Sequence, residues 1–223
     1  MLKIIYEDNH IIVVEKPVNV PSQSDKTGDK DLLTMIKEYL KEKYHKPGEA
    51  YLGLVHRLDR PVGGVMVYAK TSKAAARLSE QIRQKQFSKK YLVIVDGKME
   101  QKQGILEDYL WKNERTNTSK VVEEGTKNAK YAKLKYEVLK YVPETNLSVL
   151  KITLETGRHH QIRVQLSHAG HSIYGDQKYG SRGKGKQIAL WAYELSFIHP
   201  ITKEKLNFTD MPETIGTWSN LKS

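Results

Sequence analysis

The chain has no cysteine among its 223 residues. That excludes disulfides, a thiolate nucleophile and cysteine-ligated zinc, and it fits a reducing compartment. No stretch approaches the ~18 continuous apolar residues of a membrane span. The N-terminus, MLKIIYEDNHIIVVEK, breaks its apolar runs with Glu7, Asp8 and Asn9. It lacks the unbroken apolar segment and small-residue cleavage site of a secretory signal. No repeat of fixed period and no Pro/Ser-rich linker divides the sequence. The expectation is therefore a cytoplasmic protein of one domain, residues 1–223, with room for two lobes. Acid is also in deficit, since 37 Lys and Arg face 26 Asp and Glu for a formal charge of +11. A polyanionic partner is the first physical reading, because phosphate contacts release counterions and dominate nucleic-acid affinity. The plainer alternative is a solvated basic surface with no partner. An anionic membrane fits less well, as no basic amphipathic helix with a bulky apolar face is present.

What is present reads as many strands and few helices. Residues 2–6 and 10–15 suggest two short strands around Glu7-Asp8-Asn9. Residues 16–29, KPVNVPSQSDKTGD, form a loop by composition. Leu32, Leu33, Ile36, Tyr39 and Leu40 recur at helical spacing, with Asp29 or Asp31 as the cap. Val65 to Lys70 alternates as a strand. Thr71 or Ser72 can then cap a helix to about residue 84, with Ala75, Leu78 and Ile82 on one face. KKYLVIVDG (89–97) is a buried strand ended by Asp96-Gly97. ILEDYLW is a further strand, and the polar stretch 113–128 is an exposed loop or a projecting hairpin. YAKLKYEVLKY and NLSVLKITLE alternate as an antiparallel pair. TGRHHQIRVQLSHAG passes from a turn into a short helix with Ile162, Leu166 and Ala169 on one side and Gly170 as its stop. A Gly- and Lys/Arg-rich loop and the strand IALWAYELSFIHP follow. Strands that do not alternate regularly with helices give an α+β class, a mixed and largely antiparallel sheet flanked by helices.

Three constellations carry chemistry. The first is HRLDRPVGG, His56 to Gly64, where a single acid sits among cations. Neighbouring guanidiniums keep a carboxylate ionised, as a nucleophilic Asp requires, although a structural Arg–Asp pair meets the same description. Pro61 makes Arg60 extended, so Asp59 lies in a loop. Gly63 and Gly64 allow close approach of backbone or ligand. The second is GRHHQIR, Gly157 to Arg163, a cation-rich helix start suited to a phosphate or carboxylate. A metal needs His159, His160, His168 and His171 to converge, and adjacent strand histidines point to opposite faces. The third is KKYLVIV. There Tyr91 reads as core, and Lys89 and Lys90 as an exposed edge.

Taken in order, HRLDR…G, a KxY-type strand about thirty residues on, TGRxHQIR and a GD…YG turn resemble the RluA-type pseudouridine synthases. HRLDRPVGG is similar to that family's HRLDRxTSG signature. TGRHHQIRVQLSHAGHSIYGDQKYG is similar throughout, and EKPVNVPS resembles the early KPxG segment with Asn19 in place of glycine. The likeness runs from Ile4 to Phe208. Val62-Gly63 replace the usual Thr-Ser, and Gln165 replaces a common histidine, which leaves loop packing and substrate choice open.

The resemblance implies a bilobed pseudouridine synthase fold with a central RNA-binding cleft. It also implies cofactor-free, metal-free isomerisation of uridine in structured RNA, ribosomal or transfer, by a monomer. On this reading Asp59, Tyr91 and Arg163 are catalytic. Asp59 is the catalytic aspartate, a nucleophile toward the sugar or the base or the promoter of a glycal route, Arg163 its partner in place of adjacent Arg60, and Tyr91 lies against the base as candidate acceptor of the C5 proton. His56, Arg57, Leu58, Arg60, Lys90, Arg158, His160, Gln161 and Ile162 are substrate-binding, with Arg57 facing RNA and Leu58 and Ile162 walling the uracil pocket. The expectation is a catalytic domain without the family's frequent N-terminal RNA-binding module, with the stretch 113–128 and the SRGKGK loop at 181–186 as candidate RNA contacts. Two rivals stand beside this reading, a non-catalytic RNA-binding protein on the same fold and a metal-dependent RNA hydrolase.

Overall fold

The structure is a computed structural model that describes residues 2–45, 47–180, 185, 187–214, 216 and 218. It divides into two compact units, Met1–Lys89 with Ala192–Pro212, and Lys90–Trp191 with Glu213–Ser223.

In the first unit, β1 (Ile4–Glu7) and β2 (Ile11–Lys16) form the hairpin expected around Asp8. The Asp8 carboxylate accepts the N–H groups of His10 and Ile11 and so stabilises that turn. β2 pairs antiparallel with β4 (Gly63–Ala69), which also receives the short β3 (Gly53–Leu54). β4 neighbours β10 (Leu190–Ile198), and β11 (Lys205–Thr209) closes the edge antiparallel to β10. All seven residues of β4 are buried, as a strand covered on both faces requires.

Gly64 answers one question from the sequence. Its φ is +122°, and a Cβ there would lie 2.1 Å from the carbonyl oxygen of Ala192. The glycine thus serves the close approach of a neighbouring strand.

Two helices belong to this unit. α1 (Leu32–Lys43) is capped by Asp31 rather than Asp29, its carboxylate accepting the Thr34 N–H. α2 (Ser72–Arg83) is capped by Thr71. Its buried face is rotated from the one periodicity suggested. Ala74, Leu78 and Gln81 are buried, while Ala75 and Ile82 pack at the margin. Gln81 explains the difference. Its amide donates to the Ile198 carbonyl and accepts the Ile198 N–H, pairing with the end of β10 as a further strand residue would. Around these elements Ile11, Val13, Val65, Val67, Leu78, Phe87, Leu195 and Phe197 form one core cluster.

The second unit is built around long strands. Its order is β5 (Ser88–Asp96, of this unit from Lys90 on), β9 (Leu147–Leu154), β8 (Lys130–Val142), β6 (Gln103–Asn113) and β7 (Thr118–Val122). β9–β8, β8–β6 and β6–β7 are antiparallel, so the stretch from 113 begins as a hairpin, with residues 114–117 at its tip. α3 (Gln161–His168) packs on β6 and β7, with Val164 against Leu110 and Ala132. The α+β class with a mostly antiparallel sheet and helices against it is as the sequence indicates. Among the described residues no helix is long and apolar enough to cross a membrane. Residues 181–184 and 186 of the SRGKGK loop lie outside the described residues.

Candidate active site

In the first unit the loop bearing Asp59 is fixed along its length. The Val62 N–H donates to the Asp59 carbonyl at 2.9 Å, closing a turn over Arg60-Pro61. Leu58 is buried, and Ser22 engages both its backbone groups, donating to its carbonyl at 2.9 Å and accepting its N–H at 3.2 Å. Lys16 completes the frame. It is fully buried at the end of β2, and its Nζ donates to the carbonyls of Pro17 (3.0 Å), Val20 (2.6 Å) and Arg60 (2.9 Å). Burial lowers its pKa to about 7, the Asp59 charge opposing that fall and Arg60 adding to it. The segment KPVNV is thus tied to the Asp59 loop through one ammonium group.

The basic residues around Asp59 separate into distinct jobs. Arg60 binds the 25–29 loop, donating to Thr27 Oγ1 at 2.9 Å and pairing with Asp29 and, at 3.7 Å, with Asp25. Arg57 is exposed and, among the described residues, has no hydrogen bond or ion pair. His56 is used inside the fold. Its Nε2 accepts the Val67 N–H at 3.2 Å, and its ring meets Phe87 edge-on at 5.5 Å. Burial, with Lys89 second, lowers its pKa to about 3, so the ring is neutral.

In the second unit the GRHHQIR stretch enters α3 through His160, whose φ of 53° is left-handed. The sequence pattern missed this reversal. Because of it the His159 and His160 rings stack at 3.7 Å rather than diverging. His159 Nδ1 lies 2.8 Å from Ser119 Oγ, and His160 Nδ1 lies 2.7 Å from the Tyr179 hydroxyl. That hydroxyl also accepts the Ser119 N–H at 2.8 Å. β7, the helix start and the loop after α3 are thereby joined by one polar network. Burial first, then the charge of Arg163, lowers the His160 pKa to about 2. Among the described residues no group of three His, Asp or Glu side chains could hold a metal ion.

α3 buries polar side chains as well as apolar ones, so each needs a partner. Gln161 accepts from Thr156 Oγ1 and the Arg158 N–H, and donates to the Lys133 carbonyl and Gln165. Gln165 passes the chain on to Asp108 at 2.8 Å. Ile162 is buried, whereas Arg158 is exposed and donates to the Tyr131 carbonyl. Arg163 is held by a residue not singled out from the sequence. Its Nε and Nη2 donate to the two carboxylate oxygens of Asp176, each at 2.7 Å. Asp176 is fully buried, and the Tyr179 ring centroid lies 5.1 Å from the guanidinium carbon. The GD…YG turn carried the signal, since it places an acid and an aromatic in a segment whose composition reads as a Gly- and Lys/Arg-rich loop. On β5, Tyr91 is buried and Lys90 half-buried.

Comparison with known proteins gives a consistent result. The family described as RNA pseudouridylate synthase matches residues 10–168. An uncharacterized RNA pseudouridine synthase of Bacillus subtilis (strain 168) is 33% identical over 91% of this chain and 66% of its own length. The tRNA pseudouridine synthase C of Haemophilus influenzae is 30% identical over 94% of this chain and 92% of its own. The solved structure of human RNA pseudouridylate synthase domain containing 4 shares the fold, with a TM-score of 0.78 at 23% identity over 95% of this chain and 89% of that one. The chain spans 66% and 65%, just under two thirds, of the first two curated relatives it matches.

Proposed function

The chain belongs to the RNA pseudouridylate synthase family, and from that membership we propose that it isomerises specific uridines of ribosomal or transfer RNA to pseudouridine in the cytoplasm, with no cofactor. In that reaction the N1–C1′ bond breaks, the uracil turns, and a C5–C1′ bond forms. The proton leaves C5 and N1 gains one, so the change is an isomerisation. Asp59 is the nucleophile, Tyr91 lies against the base and accepts the C5 proton, and Arg163 supplies the guanidinium that the family's motif pairs with the aspartate. A uridine in folded RNA must first leave its stack, at a cost of a few kcal/mol. Arg57 meets the displaced strand or its phosphates, a role its exposure supports. Ribosomal and transfer RNA are the substrate classes named for relatives in Buchnera aphidicola and Haemophilus influenzae.

One observation carries the reading most. The Asp59 loop is locked by Lys16, Ser22 and its own turn, as a residue that must meet a reacting atom in one geometry requires. Asp59→Asn tests it. The variant is expected to fold and to bind unmodified RNA within about twofold of the parent, since phosphate contacts dominate affinity. It is expected to form no pseudouridine. Retained isomerisation would refute the assignment and leave an RNA-binding protein or a different nucleophile.

A further inference from the structure

The buried and half-buried lysines of the first unit differ in how they are satisfied. Lys16 has three carbonyl acceptors. Lys70 has Glu7 at 2.6 Å and the Asp8 carbonyl at 2.6 Å. Lys89, the residue at the start of β5 that reads from sequence as an exposed edge, is half-buried instead. Among the described residues it has no hydrogen bond and no ion pair. Burial lowers its pKa with no carboxylate to oppose the fall. The charged side chain is thus half removed from water without a protein counter-charge, an arrangement that costs stability.

Its titratable neighbour adds to the imbalance. Lys89 acts electrostatically on His56. Because His56 Nε2 accepts the Val67 N–H, the ring proton is on Nδ1, and that buried atom has no acceptor among the described residues. The cluster therefore presents an amine and an imidazole N–H, donors only. The unsatisfied buried imidazole N–H calls for an explanation, and an acceptor supplied by a ligand is one. The ligand should be anionic, because the missing partner is that of a cation. Lys89 and Tyr91 are alternate residues of β5, so their side chains leave the same face of the strand, about 7 Å apart along it.

We propose that the Lys89 amine receives a backbone phosphate of the substrate RNA. This rests on the pseudouridine synthase reading, with the phosphate belonging to the strand whose base meets Tyr91. Binding restores the counter-charge that the fold withholds, so the cost carried by the free protein is recovered in the complex.

The test uses the full chain with Lys89→Met and Lys89→Arg, and unmodified ribosomal and transfer RNA from a strain lacking the gene. Binding is measured across a salt series, alongside thermal unfolding of the free proteins. Methionine keeps the stem and removes the charge, so its melting temperature is expected to rise. Its affinity should fall several-fold, and the slope of log K against log salt should shrink by about 0.7, the value of one single-strand phosphate contact. Arginine should keep the parental slope. A methionine variant with the parental slope overturns the proposal. So does a slope lost equally in both variants, which indicates disturbed packing. If the parent itself forms no pseudouridine while the methionine variant still loses slope, the function reading fails and the phosphate contact stands.

Discussion

Lys16, at the end of β2, and Arg163, in the first turn of α3, are both buried cations, and the fold surrounds them differently. Lys16 is held by three backbone carbonyls, whereas Arg163 is held by both oxygens of Asp176. Carbonyl dipoles satisfy an ammonium without cancelling its net charge, so the field of Lys16 still acts on Asp59, as its own pKa reflects. A two-pronged carboxylate satisfies and neutralises together, fixing the plane of the guanidinium. Lys16 brings uncancelled charge to the Asp59 loop, and the Asp176 carboxylate fixes the orientation in which Arg163 presents its guanidinium.

The largest expected effect breaks the charge side of this comparison. Asp59→Asn should lower isomerisation by roughly four orders of magnitude or more, as loss of a nucleophile does, in a rate assay at saturating RNA. It should also lower the Lys16 pKa further, since the charge opposing burial is gone. NMR titration of the lysine side chain can read that shift.

Breaking the geometric side comes next. Asp176→Ala removes the two-pronged carboxylate from the buried guanidinium of Arg163 and should cost about 3–5 kcal/mol in chemical denaturation. The double change Arg163→Met with Asp176→Leu should recover much of that stability without recovering activity. If the alanine variant is as stable as the parent, the ion pair does not hold the helix start.

The pH dependence of stability sharpens the contrast. In the unfolded chain Lys16 keeps its proton up to pH 10.5, in the folded chain only up to about 7. Between those values the unfolded state binds the extra proton, so stability rises with pH through the window and this contribution is level below it. The rise from this group is at most about 5 kcal/mol, read by denaturant midpoints at pH 7, 8.5 and 10. Lys16→Met should flatten it. The smallest effect belongs to exposed Arg57. Arg57→Gln should weaken RNA binding several-fold and reduce the salt slope by about 0.7, with the melting temperature unchanged.

The same contrast bears on what a sequence discloses. α1 and its cap were legible because apolar spacing and an Asx cap are local signals, and only the choice between Asp29 and Asp31 is set by the fold. The face of α2 was misjudged because Gln81 is buried to pair with Ile198, a demand set by β10 over a hundred residues away. α3 shows the limit most clearly. It buries Gln161, Arg163 and Gln165 with its apolar residues, so no hydrophobic stripe marks its inner side. The motif residues were legible in order and type, but their partners were not. Asp176 sits thirteen residues beyond Arg163 in a segment that composition alone marks as loop, and the left-handed His160 has no side-chain signature. β11 was missed because a five-residue edge strand with exposed alternate residues resembles the loops around it.

The central claim is that this chain converts uridine to pseudouridine through Asp59. RNA labelled with tritium at uridine C5, prepared from a strain lacking the gene, tests it most directly. The intact protein should release tritium to water in step with pseudouridine formed, and Asp59→Asn should release none. No release by the intact protein from any cellular RNA, or undiminished release by the asparagine variant, would contradict the account.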